Sequence, residues 1–198
     1  MDKLKIYVLN TNELSLNDIS CSSFLNDEDT ISFQRFKVEQ VRKEKLASLY
    51  LKRKYIGDFY VDENGKPQSD KCKFNISHSL GMVVLVVSNK PIGIDIEKIR
   101  EYDLDLKRFI SSDEEFDYIK TDKDFFSIWT SKESLVKAYG TGLKTKVNEI
   151  PGLPIEGRKK YRDKIYLSKQ LIIGDYVMNI SRESDEMFEI KIIKEIIN

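Results

Sequence analysis

With 198 residues, 40% hydrophobic and 33% charged, the chain has the composition of a globular protein able to bury a sizeable core, which excludes a disordered one. Lys plus Arg and Asp plus Glu stand at 33 each, so no global field recruits nucleic acid or an anionic membrane, and any bound anion must be held locally. Cys21 and Cys72 form no CxxC pair, the apolar run after Lys3 and Lys5 is too short for a signal core, and Met82 to Val87 falls far below a membrane span, so a cytoplasmic monomer or small oligomer is expected.

In chain order, weak alternation over 5–9 predicts a strand. A polar stretch with Asn17, Ser20, Ser22 and Ser23 leads to a helical tract over 32–56, where Phe33, Phe36, Val38, Val41, Leu46, Leu49 and Tyr50 recur at three- to four-residue spacing. Gly57 ends it. Turn chemistry at 62–67, with Asn64-Gly65, precedes strands at 74–76 and 82–88, and Asn89-Lys90-Pro91 is the next punctuation.

The second half repeats this order. A strand at 92–97 is followed by helices at 104–120 and 124–139, a stop at Gly140-Thr141-Gly142, and a loop bracketed by Pro151 and Pro154. The tail predicts a three-strand meander at 164–173, 176–181 and 187–194, with Gly174-Asp175 in a hairpin turn. Strand, helices, strands occurring twice predicts an α+β protein of two pseudo-symmetric halves, each a small antiparallel sheet packed with helices, dividing into 1–91 and 92–198.

The chemistry concentrates in a few places. On the strand Ile94-Asp95-Ile96-Glu97, residues two apart share a face, so Asp95 and Glu97 project their carboxylates side by side. On the helix after Trp129, residues four apart lie one turn above each other, so Glu133 and Lys137 present an anion and a cation together. Each pair alone is ordinary surface. Brought together, three carboxylates beside an ammonium suit Mg²⁺ and a phosphate ester or anhydride. His78, the single histidine, lies between the hydroxyls of Ser77 and Ser79 ahead of Gly81, a phosphate-binding cluster or a histidine bonded in a turn. Lys66 adds a second point charge or is simply solvated.

Taken in order, GKP (65–67), FNISHS (74–79), PIGIDIEKIR (91–100) and WTSKESLVKAYGTGL (129–143) resemble the 4′-phosphopantetheinyl transferases, of the surfactin-synthetase-activating type rather than the shorter acyl-carrier-protein synthase type. The resemblance implies transfer of the phosphopantetheine arm of coenzyme A to a serine of an apo acyl- or peptidyl-carrier protein, with Mg²⁺ required and adenosine 3′,5′-bisphosphate released. It also implies an active site in the cleft between the halves, the nucleotide end in 1–91 and the metal in 92–198.

Carried over residue by residue, the resemblance makes Asp95, Glu97 and Glu133 metal ligands, sets Lys137 on the pyrophosphate, and puts Lys66, Ser77 and His78 at the nucleotide end with His78 on the 3′-phosphate. Lys43 stands where an arginine near the nucleotide is usual, and Gln40 where an acid is common. The acceptor serine needs a base, and Glu133 or Glu114 serves. Ser111-x-x-Glu114 also reads as a capping box. Lys107, Arg108, Lys120 and Lys123 are the candidate cations for docking an acidic carrier. The alternative is a non-catalytic coenzyme A- or carrier-binding relative, which has no need of three metal carboxylates. A Mg²⁺-dependent phosphodiesterase or nuclease is disfavoured by the neutral charge.

Overall fold

The computed structural model describes residues 2–13, 36–63, 65–142 and 145–196. The expectations for Ser20, Cys21, Phe33, Asn64 and Leu143 lie outside them. The described elements are β1 (Asp2–Asn10), α1 (Glu39–Tyr55), β2 (Tyr60–Val61), β3 (Pro67–Gln68), β4 (Lys73–Ser79), β5 (Met82–Ser88), β6 (Ile92–Lys98), α2 (Leu104–Ile110), α3 (Asp113–Tyr118), α4 (Asp122–Tyr139), β7 (Gly157–Tyr161), β8 (Lys164–Ile173), β9 (Tyr176–Glu183) and β10 (Phe188–Glu195). The protein is α+β, as its element order predicts.

Two four-stranded sheets dominate, ordered β10-β1-β5-β4 and β6-β9-β8-β7. Side-chain alternation assigns each face. Leu4, Ile6 and Val8 of β1 join Val84 and Val86 of β5 against Ile92, Ile94 and Ile96 of β6 and Met178 and Ile180 of β9, so the sheets pack on one another through a branched aliphatic core. The opposite face of the first sheet, with Tyr7, Leu9, Val83 and Leu85, takes Leu46, Ala47 and Leu51 of α1. On the outer side of the second sheet lies α4, and the layers run α1, sheet, sheet, α4.

Three sequence expectations are corrected. The helix expected over 104–120 is two helices, because Ser111 and Ser112 are extended and Ser112 caps α3, its hydroxyl accepting from Glu115 N while Glu115 accepts from Ser112 N. The capping box is therefore Ser112 with Glu115, one residue beyond the expected Ser111 and Glu114. The meander is β7-β8-β9, and the last strand leaves it to pair in parallel with β1, from Asp2 opposite Phe188 to Leu9 opposite Glu195. A strand from beyond residue 91 thus completes the first sheet, and Phe188 is fully buried in the core between sheets.

The strands β4 and β6 are each an edge of their sheet, and side chains join them. Asn75 Oδ1 accepts from Ile94 N at 2.9 Å, Ser77 Oγ donates to Asp95 Oδ1 at 2.7 Å, and Ser79 Oγ donates to Glu97 Oε2 at 2.7 Å. These three β4 residues share a face, and the joint they make carries the candidate site.

Candidate active site

Glycine 93 decides where α4 lies. A Cβ there would overlap the Ser134 carbonyl oxygen and the Ala138 amide nitrogen, so only glycine admits the helix backbone this close to β6. The helix is fixed at both ends, by the Thr121 and Asp124 capping box and by Gly140 in the left-handed region at φ 97°. At this distance Glu133 and Lys137 stand over Asp95 and Glu97. Together with Ile76, Ser77, His78 and Trp129 these four charged residues line one pocket of about 340 Å³.

Inside the pocket Lys137 Nζ donates to Asp95 Oδ1 at 2.6 Å, to Ser77 Oγ at 3.1 Å and to Ile94 O at 3.3 Å. Asp95 is buried, and burial pushes its carboxyl above the usual range while Lys137 and Ser77 act the other way. Burial also raises Glu133, with Lys137 opposing and the charges of Asp95 and Glu97 adding to the rise. Glu97 accepts from Ser79 and from Arg100 Nη1 at 3.1 Å.

The charge of Glu97 thus raises the cost of ionising Asp95, and those of Asp95 and Glu97 together raise that of Glu133, around a single space. Asp95 Oδ2 is buried without a hydrogen-bond partner, so this carboxylate has an acceptor to spare beside the oxygen that Lys137 holds. The expected metal site differs in one respect. Among the described residues no three His, Cys, Asp or Glu side chains are drawn together in ligating geometry, because Lys137 and Arg100 hold Asp95 and Glu97 instead. The donor chemistry fits Mg²⁺, and ligation requires Lys137 to shift from Asp95.

The remaining expected residues divide. His78 faces α1, where its Nδ1 meets Glu44 Oε2 at 2.9 Å; burial lowers its pKa and Glu44 counteracts. Glu44 also accepts from Gly81 N at 2.8 Å and from Gln40 Nε2 at 3.2 Å, so the position expected to be acidic is answered one turn later. Lys66 Nζ donates to Lys137 O at 2.7 Å, capping the C-terminal turn of α4, and burial lowers its pKa. Lys43 pairs with Glu39 at 3.0 Å on α1. Glu114 is exposed in the first turn of α3 and does not line the pocket, whereas Glu133 does. Lys107 is no docking cation: it is buried, donates to Ile119 O at 2.8 Å and lies 4.0 Å from the Phe116 ring centroid. Arg108, Lys120 and Lys123 are exposed.

A buried network that sequence reasoning missed supports α4 from behind. Lys132 Nζ meets Glu115 Oε2 at 2.6 Å and the carbonyls of Ile110 and Val147, and Glu115 Oε1 accepts from Gly152 N. Lys159 of β7 donates to Ser131 Oγ and to Gly152 O, and burial brings its pKa down to about 7. A second pocket of about 330 Å³, with Tyr102, Leu106, Phe125 and Phe126, shares Glu97 and Trp129 with the first.

Fold and pocket thus set three carboxylates and an ammonium around one space, and comparison with known proteins says what the chain is similar to. Residues 91–180 match the family model of the 4′-phosphopantetheinyl transferase superfamily, a stretch that contains the motifs at 91–100 and 129–143. Among curated proteins, the chain is 34% identical over 147 residues to the 4′-phosphopantetheinyl transferase gsp of Aneurinibacillus migulanus, covering 65% of this chain and 62% of that protein. It is 42% identical over 94 residues to Sfp of Bacillus subtilis, 43% of this chain and 42% of that protein, and 28% identical over 164 residues to HetI of Nostoc, at 70% and 68%. The matches to gsp and Sfp therefore span less than two thirds of those proteins' length.

Proposed function

We propose that the protein is a 4′-phosphopantetheinyl transferase moving the phosphopantetheine arm of coenzyme A to a serine of an apo acyl- or peptidyl-carrier protein. The observation that carries this is the single pocket holding Asp95, Glu97, Glu133 and Lys137, all within the matched stretch. The serine hydroxyl gives its proton to Glu133, whose raised pKa suits a base, and its oxygen attacks the β-phosphorus. A serine O–P bond forms, the P–O bond to the nucleotide breaks, and adenosine 3′,5′-bisphosphate leaves with that electron pair. Lys137, drawn from Asp95 towards the diphosphate, offsets the developing charge. Mg²⁺, held by Asp95, Glu97 and Glu133, would neutralise the diphosphate when bound.

On this reading His78 takes the 3′-phosphate, and the β4–β6 joint is the floor of a cleft between two related halves. Incubation with coenzyme A, Mg²⁺ and a panel of apo-carrier proteins, read by intact mass, tests it. Gain of one phosphopantetheine per carrier is expected. Coenzyme A binding without any mass gain across the panel would replace transfer by the binding-protein alternative.

A further inference from the structure

The face of the second sheet that α4 covers carries a polar row not used in the steps above. Asp95 of β6 lies directly opposite Asn179 of β9, and Asn179 directly opposite Gln170 of β8. Opposed residues of an antiparallel pair share a face with Cβ atoms about 4.5–5.5 Å apart, within reach of one another's polar ends. Asn179 is 0% exposed, and both its Nδ2 and its Oδ1 lack a partner. Gln170 Nε2 and Asp95 Oδ2 lack one as well.

The neighbouring row on the same face is fully satisfied, because Ser168, Ser181 and Ser134 bond to each other at 2.9 Å. Leaving a buried polar group unpaired is destabilising, and a valine at Asn179 would avoid that cost. Four unpaired atoms in one row, ending on a carboxylate of the pocket, therefore indicate a polar chain kept for an arrangement other than the one with Lys137 on Asp95.

We propose that Asn179 is the positioning residue for Asp95. When Lys137 leaves Asp95, displaced by a cation binding there or drawn to the diphosphate, that carboxylate loses the ammonium on its Oδ1. Rotation of the side chains then lets Asn179 Nδ2–H donate to Asp95 Oδ2 and Gln170 Nε2–H donate to Asn179 Oδ1. Asp95 stays ionised, with Oδ1 free for a cation. Supporting partners of ligating carboxylates commonly set metal affinity in this way. The inference rests on the functional reading above.

Mn²⁺, which shares the oxygen preference of Mg²⁺, is the probe, and its affinity for the free protein is measured by electron paramagnetic resonance. Asn179→Val and Asn179→Thr have the same shape and differ in one donor. Asn179→Val is expected to bind Mn²⁺ about tenfold more weakly, with a Tm at or above that of the parent, and Asn179→Thr to bind like the parent. Equal affinity in both variants, whether retained or lost, would refute a donor role for Asn179. Asp95→Asn serves as the control: if the parent shows no Asp95-dependent Mn²⁺ binding, the metal reading itself falls, a result distinct from failure at Asn179.

Discussion

Lys137 Nζ lies 2.6 Å from Asp95 Oδ1, so the pocket carries an internal ion pair between the residues proposed as metal ligand and phosphate-binding cation. On the proposed function, a dianionic diphosphate and a divalent cation would each take one member of this pair. Glu133→Gln should therefore abolish transfer, by about 100-fold or more in kcat, while leaving Tm close to the parent's. Asp95→Asn should also abolish transfer and lower Tm as well, since Lys137 loses its counter-charge in a partly buried ion pair. Turnover near the parent's rate in either variant would take that residue out of the site.

The pairing of His78 with Glu44 makes the imidazole a readable probe. Burial lowers its pKa and Glu44 opposes that, so Glu44→Gln should lower it further by nuclear magnetic resonance titration. Coenzyme A should raise it and dephospho-coenzyme A should raise it much less, because the 3′-phosphate favours the charged ring. Equal responses to the two ligands would place the 3′-phosphate elsewhere.

Lys159 predicts a pH dependence of stability. Its pKa is about 7 in the folded protein against an ordinary 10.5. Between those values the unfolded chain holds a proton that the folded one has released, so its contribution to stability rises with pH across that window and is least below pH 7. Lys159→Met should be more stable than the parent at pH 6, with the advantage shrinking towards pH 10 in thermal melts. A Tm gap independent of pH would show that the lysine keeps its proton in the buried site.

Carrier docking should depend on the exposed cations alone. Reversal of Arg108 and Lys120 to Glu is expected to raise KM for the carrier several-fold, leave that for coenzyme A nearly unchanged, and flatten the salt dependence of the rate. Lys107→Met should instead lower Tm, because its ammonium satisfies the Ile119 carbonyl inside the fold. Unchanged carrier kinetics after the double reversal would move docking to another face, such as that of exposed Leu104 and Phe109.

Local signals made much of this legible. Ile94 and Ile96 alternate with Asp95 and Glu97, and period two alone puts the carboxylates on one face. Glu133 and Lys137 follow from helical spacing. Contacts between distant segments were not legible: Glu44 meets His78 across 34 positions, and β10 pairs with β1 without a turn to announce it. The capping box was ambiguous by construction, since Ser111 and Ser112 each precede an acid by three residues. What separates them is burial, because Glu115 turns inward to Lys132 and Glu114 faces solvent.

The parallel pairing of β10 with β1 also sets an order of events during synthesis. From emergence of β1 until residues 188–195 leave the ribosome, one of its edges has no partner in the sheet, and the core place of Phe188 is unfilled. Every residue lining the pocket, from Ile76 to Lys137, is made before that. The nascent chain thus holds its complete reactive set while its first sheet still presents an open strand edge, a template for pairing with another chain.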